Sequence, residues 1–426
     1  MAASLNVFQR LIRHWETIHP YNAAQAMTVR GRIDPADAER AWGLALSVLG
    51  LGKVRVSGQA VAYEHLNGEL ARFGVRILPP RTCLNTHLGQ GLNEPFDDPD
   101  EPPFRPFLLQ GENSCQVGVI YRHWVADSVS VRLLLREWFA WMFDEKLARN
   151  RPLRTRSPGY WELFSGRIRL DETALGLFRS HMRFRRVLKI RTPGKTGYAV
   201  SVALHDAPDG MAQALRLSAR RRDSTVGDLF LAALAEACDQ HLPMQQRPTR
   251  RDLSVGSIID LRPHTRRQLH DTFGLYLGFT HCFCKPGDLN DWSRLVRSVG
   301  MQRRAHTKGG VGAYSAAWMT AALATQRLCD PSRLYHFYRK EMPITAGLSN
   351  VNLHGTWAER LHPHQLEDYV RVSPTGPMCP LVLSATTLGE KLRFALTYRH
   401  DLVARPTATA FLNSVVQRLS SEASLA

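Results

Sequence analysis

Tyr121-Arg122-His123-Trp124-Val125-Ala126-Asp127-Ser128 sets a base and a carboxylate four residues apart, at the junction of two elements of opposite kind. Before it, residues 115–121 (CQVGVIY) form a compact run of β-branched and aromatic side chains, which predicts a buried strand. After it, residues 128–143 place Leu133, Leu134, Trp138 and Trp141 in a helical pattern. A connection between two rigid elements is where catalytic side chains commonly protrude. An imidazole there suits general-base work, because its unperturbed pKa of about 6.5 leaves it neutral and basic near neutral pH.

Working outward, residues 5–18 carry an amphipathic helical pattern and residues 26–33 alternate like a strand. Asp34 and Pro35 then supply the cap and first position of a helix over 35–49. Strands are predicted at 54–63 and 104–110, separated by a stretch holding Pro79, Pro80, Pro95, Pro99, Pro102 and Pro103, which favours ordered loops. Further on, 198–204 reads as a strand and 225–240 as a helix with Asp228 in its first turn. Strands at 253–259, 279–284, 381–388 and 391–398 and helices at 289–307 and 406–419 complete a mixed pattern. No period of roughly 20 to 50 residues repeats, which excludes a solenoid or propeller.

At 426 residues the chain exceeds what one core serves, about 250 to 300, so two domains or two similar halves are expected. Its 44% hydrophobic and 22% charged residues are those of a folded globular protein. No window reaches the roughly 18 uninterrupted apolar residues of a membrane-spanning helix. Residues 1–15 carry Arg10 and Arg13 and lack the apolar block of a secretion signal, which predicts a cytoplasmic chain.

Several chemistries find no support. The seven cysteines are scattered without a C-x-x-C pair, so reduced, mostly buried thiols are expected, with Cys282 and Cys284 packing on a strand. His264, His270 and His281 match no common ligand spacing and read as solvated or loop residues, so no metal is predicted. There is no G-x-S-x-G and no H-E-x-x-H, and Gly194-Lys195-Thr196 lacks the earlier glycine of a P-loop.

The formal charge of +17 predicts attraction for polyanions that weakens with salt. Much of it is local, since residues 149–195 hold thirteen Lys and Arg against three acids. Such a run is a solvated connector or a surface for a CoA nucleotide, an acidic carrier protein or anionic lipid. Nucleic acid is not predicted as a partner, because no zinc finger, RNP-like or helix-turn-helix signature accompanies the charge. Within it, residues 175–188 interleave Leu175, Phe178, Met182, Val187 and Leu188 with Arg179, Arg183, Arg185 and Arg186. A core-facing helix with a solvated face is the favoured reading, and peripheral membrane contact the alternative.

The run Arg122-His123-Trp124-Val125-Ala126-Asp127-Ser128 resembles the HHxxxDG signature of the CoA-dependent acyltransferase superfamily, which includes chloramphenicol acetyltransferases, nonribosomal condensation domains and wax ester synthases. The second His and the Asp are kept, while Arg122 replaces the first His and Ser128 the Gly. Ile258-Ile259-Asp260-Leu261-Arg262-Pro263 followed by Phe273-Gly274-Leu275-Tyr276-Leu277-Gly278 looks like the family's Arg-Pro and Phe-Gly-Asn stretches. Ser349-Asn350-Val351-Asn352, Thr225-Val226-Gly227-Asp228 and residues 392–398 also look like family landmarks, in order along nearly the whole chain.

The resemblance implies an α/β (α+β sandwich) fold, in which two chloramphenicol acetyltransferase-like halves form a pseudo-dimer with a central tunnel. Residues 1–150 would be the half carrying the HxxxD motif, 151–195 a basic connector and 196–426 the second half. It implies transfer of an acyl group from a thioester, acyl-CoA or an acidic acyl carrier protein, to a hydroxyl or amine of a small-molecule acceptor. His123 takes the role of general base and Asp127, gripped by Arg262, supports its loop. Ser349 or Asn350 would contact the oxyanion or acceptor. No tightly bound cofactor is implied, the acyl-CoA or phosphopantetheine-linked acyl group being a co-substrate. The departures at Arg122 and Ser128 keep open a second reading, a non-catalytic condensation-domain-like interaction module, and the bulk of Trp124 makes obstruction near His123 the feature to check.

Overall fold

A computed structural model of the chain describes residues 3–64, 73–149, 151–155, 158–164, 170–192, 197–245, 247–265, 268–308, 310–326, 328–358 and 365–425. Gly194-Lys195-Thr196 and part of the basic 149–195 segment lie outside the described residues.

The first elements form where local chemistry directs them. Helix α1 (Val7–Glu16) is capped by Asn6, whose side chain accepts from the backbone of Phe8 and Gln9 while Gln9 returns a bond to Asn6. It buries Phe8, Leu11, Ile12 and Trp15. Strand β1 (Asn22–Arg30) leads to α2 (Pro35–Leu49), which Asp34 caps through the Ala36 N–H at 2.8 Å. Then come β2 (Arg76–Leu78), β3 (Phe104–Gln110), β4 (Ser114–Arg122) and α3 (Ser128–Phe143). The strand predicted over 54–63 is instead a hairpin of Lys53–Ser57 and Ala60–Glu64. Gly58 stands in its turn at φ +59°, a conformation that breaks an extended run and suits a residue without Cβ.

Continuing, α4 (Leu170–Phe184), β5 (Val200–Asp206), α5 (Val226–His241), β6 (Leu253–Asp260), β7 (Leu277–Cys284), α6 (Val311–Gln326), β8 (Ala346–Asn352), β9 (Leu366–Val372), β10 (Leu381–Leu388), β11 (Lys391–Arg399) and α7 (Arg405–Ser424) follow. The strands make two main sheets, a five-stranded one ordered β9-β1-β4-β3-β2 and a six-stranded one ordered β7-β6-β8-β10-β11-β5. Strand β9 thus lies at the edge of a sheet whose other members end at Arg122, pairing antiparallel with β1 so that Arg371 stands opposite Gln25. Within the larger sheet, β8 is parallel to both neighbours, β6 and β10.

One hydrophobic core packs α1, α2 and α3 on the five-stranded sheet and takes in Leu261, Phe273, Leu275, Phe279 and α6. A second joins α5, α7 and the six-stranded sheet. Cys115, Cys238, Cys282, Cys284 and Cys379 are buried free thiols, Cys83 is exposed and Cys329 intermediate. His281, expected in solvent or a loop, is buried on β7 among Phe184, Phe283, His306 and Tyr314, because both faces of that strand are covered. Helix α4 departs from its core-facing expectation. It packs on α6 through Phe184 and a Tyr314-to-Ser180 hydroxyl bond, which leaves Leu175, Phe178 and Met182 exposed on another face.

Candidate active site

The loop from β4 to α3 is held by its carboxylate. Asp127 is fully buried and caps α3, its Oδ1 accepting from Ser130 N–H at 2.9 Å. Arg262 donates to both of its oxygens, Nη1 to Oδ2 at 2.8 Å and Nη2 to Oδ1 at 3.0 Å, and Tyr276 N–H adds a fourth bond at 2.8 Å. Burial opposes the charge of Asp127, but the Arg262 guanidinium and the donors around it hold the carboxyl below its ordinary range. Ser130 ties the same knot, donating to Gly274 O at 2.8 Å and accepting from Gly274 N–H and Arg262 Nη2 at 3.0 Å. Gly274 adopts φ +153°, a backbone rarely open to side chains, and its carbonyl also receives Asp127 N–H at 2.9 Å.

His123 is fixed at both ends. Its backbone N–H donates to Tyr21 O at 3.0 Å, and Nδ1 lies 2.9 Å from the Ala126 carbonyl. A carbonyl only accepts, so Nδ1 carries the hydrogen and Nε2 presents its lone pair. Tyr21 lies parallel to the ring at 5.9 Å between centroids and Tyr121 edge-on at 5.8 Å. Burial lowers the pKa of the imidazole, against the Ala126 carbonyl and Asp127, which raise it.

The ring lines a cavity of about 150 Å³ between the two sheets. One wall comes from Tyr21, Ala24, Gln25, Tyr121 and Ser128, the other from β6, β7 and β8. Trp124 does not enter it. The indole is buried with Nε1 donating to Glu16 at 2.9 Å, on the far side of the loop. Arg122 likewise turns to Glu16, at 2.5 Å, and stacks beside Phe96 and Trp124.

Of the other anticipated residues, Ser349 and Asn350 both line the cavity from β8, Ser349 buried and Asn350 exposed. The Ser349 hydroxyl accepts from Arg371 Nη2 at 2.7 Å. Asp260, Arg371 and Gln25 also face the cavity and were not singled out in the sequence. Asp260 is bonded by Arg262 at 3.1 Å, and burial raises its pKa. No local pattern marks Arg371, whose partners lie on remote segments.

The chain's likeness to known proteins lies in its fold. No protein-family model matches it and no curated protein does. Solved structures match over essentially the whole length. The trichothecene 15-O-acetyltransferase of Fusarium sporotrichioides aligns with TM-score 0.72 and 11% identity, over 99% of this chain and 94% of that one. The first condensation domain of the calcium-dependent antibiotic synthetase, solved with a substrate analogue, gives TM-score 0.72 and 13% identity, over 99% and 96%. Polyketide synthase associated protein 5 from Mycobacterium tuberculosis gives 0.65 and 15%, over 100% and 99%.

Proposed function

We propose that this chain, which has the fold of the CoA-dependent acyltransferase and condensation-domain superfamily, is an acyltransferase that moves an acyl group from a thioester to a hydroxyl or amine. The observation that carries the reading is the His123 imidazole, with Nδ1 committed to Ala126 and the ring on a cavity between two sheets. In the reaction, Nε2 takes the proton of the acceptor as its oxygen or nitrogen attacks the thioester carbonyl carbon. Collapse of the tetrahedral intermediate breaks the carbon–sulfur bond, and the departing thiolate receives that proton from the imidazolium. Ser349 and Asn350 are positioned to meet the oxyanion or the acceptor, and acyl-CoA or a carrier-bound acyl group is the donor. Asp127 and Arg262 act by holding the loop.

His123→Ala is expected to fold as the parent does and to lose about 10² to 10⁴ in turnover, measured as thiol release across a donor panel. Unchanged thiol release in that variant rejects the mechanism. A second reading, an interaction module, draws on Arg122, which stands where the motif has its first His and is engaged with Glu16. Absence of thiol release with every donor and acceptor offered favours it.

A further inference from the structure

Arg371 on β9 is 4% exposed and has no carboxylate partner among the described residues. Its Nε donates to Ser128 Oγ at 2.8 Å, Nη2 to Ser349 Oγ at 2.7 Å and Nη1 to Ser349 O at 3.4 Å. A guanidinium carries five N–H groups, so two remain after these bonds. Arg132 approaches the same Ser128 hydroxyl at 3.5 Å and adds a like charge. Burial, then Arg132, brings the Arg371 pKa down to about 10, which leaves it charged at neutral pH. Arg262 shows the contrasting case, a buried arginine of structural purpose answered by Asp127 and Asp260. Taking a cation out of water costs several kcal/mol, and hydroxyl oxygens offset less of that than a carboxylate does.

The same guanidinium lines the cavity with His123. Beyond its own polar partners the cavity wall carries Phe8, Ile12, Phe279, Ile344, Leu348 and Val382. Asp260, also on the wall, is already gripped by Arg262. Ser128, one of the two residues that depart from the family motif, is the acceptor for Arg371 Nε, so that departure and the unmatched cation belong to one arrangement.

We propose that Arg371 seats a carboxylate borne by one of the two substrates, so that the reaction selects an apolar molecule with an acid group set apart from its reacting centre. The inference rests on the acyl-transfer reading for what happens at His123, but the seat is a binding property that stands by itself. The free N–H groups of Arg371 suit paired hydrogen bonds to two carboxylate oxygens. Ser349 holds Arg371 through its oxygen and keeps its own hydrogen for the oxyanion or the acceptor. With the acid anchored there and the apolar body along the wall, the attacking group or the thioester carbonyl is presented to Nε2.

The test begins with binding, measured by calorimetry with octanoate and octanamide on the full chain, on His123→Ala and on Arg371→Gln and Arg371→Lys. Octanoate is expected to bind at least about tenfold more tightly than octanamide to the parent and to His123→Ala. That preference should vanish in Arg371→Gln and return in part in Arg371→Lys. Equal binding of the two probes to the parent overturns the proposal without any variant, and so does a preference that survives in Arg371→Gln. Kinetics then assign the source of the acid. Hydroxy acids are compared with their primary amides as acceptors, and succinyl-CoA with butyryl-CoA as donors. One series is expected to discriminate by about tenfold or more in kcat/KM. Discrimination in neither series, with turnover present, overturns the proposal. Preference for octanoate with no thiol release from any donor retires the acyl-transfer reading and leaves the carboxylate seat in place.

Discussion

His123 keeps its lone pair because water is largely removed from around it, and Arg371 adds a second influence in the same direction. The Ala126 carbonyl and Asp127 pull the other way without restoring the ordinary value. A base with a lowered pKa stays unprotonated as pH falls past 6.5 and is lost only when pH drops through the lower value. The acid limb of kcat/KM, followed with an uncharged thioester donor, is therefore expected below pH 6.5. A limb above pH 6.5 contradicts a half-buried His123 held neutral by its surroundings. Removing the Arg371 charge in Arg371→Gln should move the limb upward. His123, Asp127 and Arg262 were legible because each sits in a short patterned run. Arg371 was not, since its role comes from Ser128, 243 residues away, and from having no acid beside it among the described residues.

At the scale of elements, one carboxylate couples a helix, a loop and a strand. Asp127 caps α3, accepts both arms of Arg262 and binds Tyr276 N–H just before β7. Asp127→Ala leaves Arg262 buried with only Asp260 as counter-charge, and breaking a buried pair in this way costs about 3 to 5 kcal/mol. The expected result is a lower urea midpoint together with reduced turnover, since the loop that carries His123 loses its anchor. A variant with parental stability shows that the network around Ser130 and Gly274 holds the loop without the carboxylate. Elements with caps and clear periods, α2 and α3 above all, were legible from residues near in sequence. Strand β9 was not anticipated, because its place is set by pairing with β1, more than 330 residues earlier. Helix α4 was legible as amphipathic, but not in which face the fold covers, a choice made by α6.

For the whole molecule, a charge of +17 acts at distances where single contacts no longer matter. Lys189 reports the field locally. Burial, then Arg250, Arg339 and Arg247, lowers its pKa to about 8, with Glu341 the opposing influence. Lys189 and Arg339 line a small hollow together with Ile344 and Met378, and those two side chains also line the cavity of His123. Basic groups therefore stand next to the wall of the candidate site. An acyl-CoA brings several phosphates to such a surface and an acidic carrier protein brings carboxylates, whereas an acyl-N-acetylcysteamine brings no charge. Screening shortens the reach of exposed charges to about 10 Å at 0.1 M salt and about 3 Å at 1 M. The value of kcat/KM with acyl-CoA is expected to fall as salt rises across that range, and with the truncated donor to stay nearly level. Raising the pH through 8 should weaken only the charged donor, because Lys189 then gives up its proton. Equal salt dependence for both donors places the effect on the acceptor or on stability, and removes the basic surface from the account of how the donor arrives.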